Sequence, residues 1–583
     1  MIMAQHHLDR LTPIDAGFLH QEGASAHMHI GALLVFEGAP PPFAEMLEHV
    51  RSRLHLVPRY RQRLATPPLD TGRPLWIDDP SFNLEFHVRH TALPAPRTEA
   101  QLMALVSRIA SQPLDRTKPL WEMWMVEGLE GPPEAGGERF AVICKTHHSL
   151  VDGVSGVDLA TVLFDLSADQ PPDAGEPWVP HPVPSAAELA VASVLDTLES
   201  VAGAVLHGMA AAVQPTRSFG KLRDAVEGVG EILWQLLNPA PSSPLNVAIG
   251  PHRRYTIVRQ RLADYKTIKD SLGGTVNDVV LTVVSGALAE WLQSRGVRTE
   301  GLELRALVPV SVRTADQRKT LGNKLTVMRG PLPVYVRDPI SRLEVVRRAM
   351  DGLKESKQAV GAATLTAVET FAPPTLLAQA SRLNFSTRLF NLLVTNVPGP
   401  QVPLYLLGRK LADLLPIAFL PENHALAVAI MSYDGAMEYG LLGDYDALYD
   451  IDVVAEGLDR ALAELLQAAR EHAARTEMRG RVAGRPDRAN GAADLAVGRR
   501  EVAVTPSDDG DVETVAVPGD HGDAEPDLAA ESREPAGDVA AHPAPILPTS
   551  RRRTRPGPAS EMRAKRARAR DPGQWEPPGN QTG

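Results

Sequence analysis

The stretch RFAVICKTHHSLVDGVSG, Arg139 to Gly156, decides how this chain is read. Its apolar run, Phe140 to Cys144, has the length and composition of a buried strand. Two adjacent histidines, His147 and His148, stand where the run ends. In extended backbone their side chains point to opposite faces, so one imidazole meets a cleft while the other packs inward. Gly153 and Gly156 mark a tight turn, after which Val157, Leu159, Val162 and Leu163 give a helical face. A neutral imidazole is the natural general base near pH 7, and a nearby carboxylate such as Asp152 can fix its tautomer or the surrounding loop. A satisfied pair of core histidines is the competing reading. Metal ligation is a third, but adjacent histidines chelate one ion awkwardly and no third ligand stands at a sensible spacing. No G-x-S-x-G elbow accompanies the pair, so a covalent intermediate is not indicated.

Outward from this stretch, composition narrows the classes. The 583 residues hold 60 Lys and Arg against 71 Asp and Glu, a formal charge of −11, with 44% hydrophobic residues and one cysteine. That length implies more than one folded unit. A single cysteine excludes a disulfide scaffold and any cysteine-based metal centre, and it fits a reducing compartment. Met1 to Arg10 lacks the apolar core of a signal peptide. No run reaches the roughly 18 apolar residues of a membrane span; the best, Val279 to Leu292, is interrupted by Thr282, Ser285, Gly286, Glu290 and Trp291. The acidic total argues against nucleic acid as a partner. Gly228-Val-Gly230 lacks the remainder of a dinucleotide fingerprint, and no phosphate loop occurs. The expectation is a large soluble cytoplasmic protein.

The chain is uneven. From Thr476 to Gly583 there is no Phe or Tyr, and such a segment is expected to be disordered because it buries too little apolar area to offset its ordering entropy. Within it Glu501–Asp538 carries a net −11 and Arg551–Arg570 a net +8. That basic run reads as a solvated tail or as a contact for anionic lipid or nucleic acid. Six prolines between residues 169 and 184 read as an extended linker, and Ala186–Leu237 as an apolar helical connector. The connector either packs on the domains or touches lipid. The organisation expected is therefore residues 1–168, a connector over 169–239, a second unit over 240–475 and a tail over 476–583. Helices are predicted over Phe43–Leu56, Glu99–Ser111, Ala263–Leu272, Asn277–Gln293, Ile340–Lys357 and Ile451–Glu471. Strands are predicted over Gly31–Phe36, Phe140–Thr146, Arg305–Val310, Leu392–Asn396 and Ala425–Met431. The class is α/β (α+β). Asn277 reads either as a helix N-cap or as an amide donor to a developing oxyanion.

His147-His148-Ser149-Leu150-Val151-Asp152-Gly153 resembles the HHxxxDG motif of CoA-dependent acyltransferases. The flanks are similar to one branch of that superfamily, the bacterial wax ester synthase/diacylglycerol acyltransferase family. They are Leu11-Thr-Pro-Ile-Asp15-Ala-Gly-Phe18-Leu19, Met28-His-Ile-Gly31, Pro113-Leu114-Asp115-Arg116-Thr-Lys-Pro119-Leu120-Trp121-Glu122, Asn277-Asp278-Val279-Val280-Leu281, Pro309-Val-Ser311-Val-Arg313, Leu321-Gly322-Asn323 and Thr395-Asn396-Val397-Pro398-Gly399-Pro400. The resemblance spans about Leu11 to Glu471 and leaves the tail outside. It implies two chloramphenicol acetyltransferase-like domains around a channel. It also implies acyl-CoA as substrate, with no bound cofactor and no metal, and diacylglycerol or a long-chain alcohol as acceptor. By the same resemblance His148 is the base, His147 orients the loop, and Asp152 is a structural carboxylate paired with Arg313. Gly153 gives backbone room at the turn, while the two readings of Asn277, N-cap or donor near the thioester oxygen, stay open. Peripheral contact with the inner membrane or lipid droplets is the expected way to meet such substrates. The rival functions are a condensation-type or small-acceptor acyltransferase and a non-catalytic lipid-binding relative.

Overall fold

The computed structural model describes residues 9–68, 72–132, 137–150, 163–169, 177–193, 238–311, 325–355 and 385–483. Asp152, Gly153 and Arg313, with most of the connector and of the charged tail, lie outside these described residues. The first half runs β1 (Asp9–Arg10), α1 (Pro13–Gln21), β2 (His29–Glu37), α2 (Phe43–Arg53), β3 (Gln62–Ala65), β4 (Leu75–Asp78), α3 (Leu84–His87), β5 (Val88–Ala92), α4 (Glu99–Ser111), β6 (Trp121–Glu130) and β7 (Glu138–His147). The second half runs β8 (Arg253–Arg261), α5 (Leu262–Leu272), α6 (Val276–Ser294), β9 (Leu304–Ser311), β10 (Leu325–Leu332), α7 (Pro339–Glu355) and β11 (Leu392–Pro398). It continues through β12 (Tyr405–Leu406), β13 (Arg409–Ile417), β14 (Leu426–Tyr433), β15 (Ala436–Asp444) and α8 (Ile451–Ala483).

Each half is built on a six-stranded sheet, ordered β12-β13-β2-β7-β6-β5 and β10-β9-β11-β14-β15-β8. β7 lies inside the first sheet between β2 and β6, which is why its middle, Phe140–Cys144, is an unbroken apolar run rather than an alternating one. α6 is buried nearly all round at the centre of the second half's core. That placement accounts for its apolar sequence, and no helix among the described residues is long and apolar enough to cross a membrane. Thr275 caps α6, accepting from the Asp278 amide while the Asp278 carboxylate accepts from Thr275. The N-cap is therefore Thr275, and Asn277 sits inside the first turn.

The sheet of the first half is completed by the second. β13 pairs antiparallel with β2, with Leu414 opposite Leu34. Arg259 on β8 grips Asp413 on β13 with two hydrogen bonds of 2.9 Å and reaches Glu99 on α4 at 2.6 Å. A two-pronged guanidinium–carboxylate contact of this kind fixes direction as well as distance. β15 lies close to β13 because Gly440 has no side chain: a Cβ there would stand 1.8 Å from the Pro416 carbonyl oxygen. The Pro-rich linker is anchored where it is described. The Arg61 guanidinium lies 4.7 Å from the Trp178 ring, and His181 reaches the Asp78 carboxylate through its amide (3.0 Å) and Nδ1 (2.8 Å). The start of the connector, 186–193, is helical, and Leu189 packs on Ala65, Leu75 and Ile77.

Candidate active site

β7 ends at His147, and the geometry of the two histidines follows from that ending. His147 still pairs across the ladder with His29 on β2, and its amide donates to Leu120 O at 2.9 Å. At His148 the chain enters a single 3₁₀ turn, His148–Leu150, and the His148 amide donates to Met28 O at 2.8 Å. His147 is therefore buried and His148 half-buried. The Ser149 amide donates to His147 Nδ1 at 3.0 Å, with Ser149 Oγ 2.6 Å from the same atom. A nitrogen that accepts from a main-chain N–H carries no proton, so the neutral ring holds its proton on Nε2.

Aromatic side chains from both halves enclose the His148 imidazole. Phe18 on α1 stacks on it with ring centroids 4.0 Å apart and planes 20° apart. Phe419, just beyond β13, meets it edge-on at 5.7 Å. Phe385 closes the cluster, 6.5 Å from Phe18 and 5.9 Å from Phe419. His148 thus stands at the seam between the halves. Burial pushes its imidazole down to about 4, its own main-chain carbonyl opposing the fall and His147 adding to it. At neutral pH the ring is uncharged and its lone pair is available.

Glu22 lies on the other side of His147. Its side chain is one-tenth exposed, and Oε1 lies 3.3 Å from the Nε2 atoms of both His147 and His29. Oε1 also accepts from the Met28 amide at 3.2 Å. Oε2 receives Arg116 Nε at 2.9 Å together with Arg116 Nη2. Burial works against the charged carboxylate, yet its contacts with His147 and His29 outweigh it and hold the Glu22 carboxyl far below the usual range. Burial also pushes His29 down to about 3. Beyond His29 a cavity of about 20 Å³ opens between the halves, with His27, Lys145, Arg253, Ile109 and Phe419 among its walls.

Of the residues singled out in the sequence, the structure brings His147 and His148 into one turn. Asn277 is half-buried near the start of α6, and its side chain makes no hydrogen bond among the described residues. Glu22, Phe385 and Phe419 received no role from sequence. Phe18 appeared only within a quoted motif, and no pattern local to these positions marks them.

Residues 11–280 match the family described as the wax ester synthase/diacylglycerol acyltransferase catalytic domain, and residues 321–466 match the WS/DGAT C-terminal domain. A probable diacylglycerol O-acyltransferase of Mycobacterium tuberculosis is 33% identical over 469 residues, covering 79% of this chain and 96% of that protein. A putative diacylglycerol O-acyltransferase of the same organism is 31% identical over 475 residues, with 79% and 90% covered. Among solved structures, the wax ester synthase/diacylglycerol acyltransferase of Marinobacter aquaeolei superposes with a TM-score of 0.55 at 28% identity, over 79% of this chain and 99% of that one. The first condensation domain of the calcium-dependent antibiotic synthetase superposes at 0.50 with 18% identity, over 80% and 97%, a likeness of fold alone. The two-domain chloramphenicol acetyltransferase-like class expected from sequence is the class found.

Proposed function

This chain belongs to the wax ester synthase/diacylglycerol acyltransferase family and is an acyltransferase, and from that premise we propose that it moves a long acyl chain from CoA to the hydroxyl of diacylglycerol or of a long-chain alcohol. The observation that supports this reading best is the neutral His148 imidazole, held by phenyl rings of both halves at their seam. With its proton on Nδ1, a buried atom beside the residue's own carbonyl, the ring offers its lone pair on Nε2. Nε2 takes the acceptor hydroxyl proton as that oxygen attacks the thioester carbonyl carbon. The tetrahedral oxyanion collapses, the carbon–sulfur bond breaks, and the imidazolium returns its proton to the leaving thiolate. Ester and free CoA are the products, with no acyl-enzyme between them. The phenyl rings exclude water from the attacking position, which favours an alcohol over hydrolysis.

Asn277 is our candidate donor to the oxyanion, since Thr275 performs the capping that would otherwise occupy it. Asp152 and Arg313 enter the proposal through the family motif, as a pair that steadies the turn. The test is thiol release from palmitoyl-CoA, expected with diolein or hexadecanol and absent without an acceptor; release that ignores the acceptor contradicts the proposal.

The lowered imidazole sets a pH dependence. A base works unprotonated, and a ring that protonates near 4 rather than 6.5 stays unprotonated through the neutral range. We expect kcat/KM to be flat from about pH 8 to about pH 5.5, because the acid limb has moved below that window. A limb with its midpoint near 6.5 would show that His148 titrates as an ordinary imidazole.

A further inference from the structure

Glu22 follows α1, precedes β2 and faces the end of β7, so one carboxylate touches the three elements that surround His148. α1 carries Phe18, whose ring is stacked on the His148 imidazole. The Met28 amide donates to Glu22 Oε1, and the carbonyl of the same Met28 accepts the His148 amide. The His147 ring, fixed on its Nδ1 side by Ser149, brings its Nε2 within 3.3 Å of the same oxygen. Arg116 closes the arrangement from the surface, bonding Oε2 and also Leu19 O near the end of α1. The Arg116 side chain is half exposed while the carboxylate it holds is not.

We propose that Glu22 is a positioning residue for acyl transfer, locking α1, the start of β2 and the His147 ring into the arrangement that seats the His148 imidazole, with Arg116 as its outer anchor. This inference rests on His148 being the base. The physical reason for a carboxylate is donor counting. Oε1 faces the Met28 amide and two imidazole Nε2 atoms, while Oε2 faces a guanidinium. An acid anion offers acceptors on both sides, whereas a glutamine of the same shape must turn its NH₂ toward one set of donors. It either expels Arg116 or loosens His147 and Met28. The chemistry of Glu22 is thus confined to holding; no proton leaves it during the reaction.

The experiment is steady-state kinetics of the full chain, with palmitoyl-CoA and diolein, for Glu22→Gln. Hydrogen bonds to a charged group are worth about 1.5–3 kcal/mol, so kcat is expected to fall about 10- to 100-fold. KM for both substrates should stay within about twofold, because Glu22 orients the base and does not bind substrate. In histidine ¹⁵N spectra the His147 ring is expected as a fixed Nε2–H tautomer in the parent and as a mixture in the variant. A loss that appears only as raised KM, or only at temperatures where the variant unfolds, overturns the proposal. So does wild-type turnover. Should Glu22→Gln not fold, Arg116→Gln on the exposed side carries the same test: a several-fold fall in kcat supports the proposal and none overturns it. The two readings fail separately. Wild-type activity in His148→Ala refutes the base and the positioning role with it, whereas wild-type activity in Glu22→Gln beside an impaired His148→Ala refutes only the role of Glu22.

Discussion

Replacing His148 with alanine is expected to lower acyl transfer to diolein by about 10²–10⁴-fold, the range that a positioned base contributes. An alcohol has a pKa far above 7, so without a base its oxygen must attack while still carrying the proton. The rest of the seam remains, and the phenyl rings still shape a place for the substrates. The fall should therefore appear in kcat, with KM for palmitoyl-CoA changed little. His148→Gln separates chemistry from packing. It fills much of the space between Phe18 and Phe419 but has no lone pair basic enough to accept the proton. If alanine and glutamine are equally impaired, the ring acts as a base. If glutamine retains wild-type turnover, the ring is only a spacer and the mechanism proposed above is wrong.

Gly440→Ala is expected to give the largest loss of stability among single methyl additions, about 3 kcal/mol or more, because overpacking against backbone cannot be relieved by a side-chain rotation. The added Cβ would lie 1.8 Å from Pro416 O and 3.0 Å from Pro416 C, with the Tyr255 hydroxyl at 2.6 Å. Relief requires β13 to withdraw from β15. Yet β13 is held by its ladder to β2 and by the two bonds from Arg259 to Asp413. The strain therefore acts on the contact between the halves. Phe419 follows β13 closely, so whatever folded protein survives should also turn over slowly. Denaturant unfolding measures the loss. Gly352→Ala in α7, where a Cβ meets nothing within 4 Å, is the control, with no destabilisation expected. A Gly440→Ala protein as stable as that control would mean that β13 and β15 are not in tight contact.

What could be read from sequence was what neighbours in sequence determine. β7 was legible because a central strand is apolar along its length, and the histidine pair because it stands where that run stops. α4 and α6 were legible from their periodicity. The cap of α6 was legible too, since Thr275-Val-Asn-Asp278 has capping-box spacing, although the sequence reading weighed only Asn277, as cap or as oxyanion donor. β8 was not legible. It contains four arginines in nine residues, a composition that argues against a strand until Arg259 is seen facing Asp413 and Glu99 from other elements. β15 was hidden by Gly440 and Gly443, which read as breakers; the first is required by close backbone approach to Pro416 and the second by the Leu448 and Ile451 side chains packed on it. Glu22 was hidden for a simpler reason. Arg116 and His147 are far away along the chain, and a lone glutamate after a short helix carries no signal of what it will meet.

β13 has a consequence in time. During synthesis β7 leaves the ribosome with β2 beside it, but the strand that covers the other edge of β2 ends at Ile417, about 270 residues later. At roughly 5–20 residues per second, the first sheet waits roughly 15–50 s with that edge open. An open edge is a template for any passing strand. The nascent first half is thus a species in search of a partner well before it is an enzyme, and the chain that eventually supplies the partner is its own.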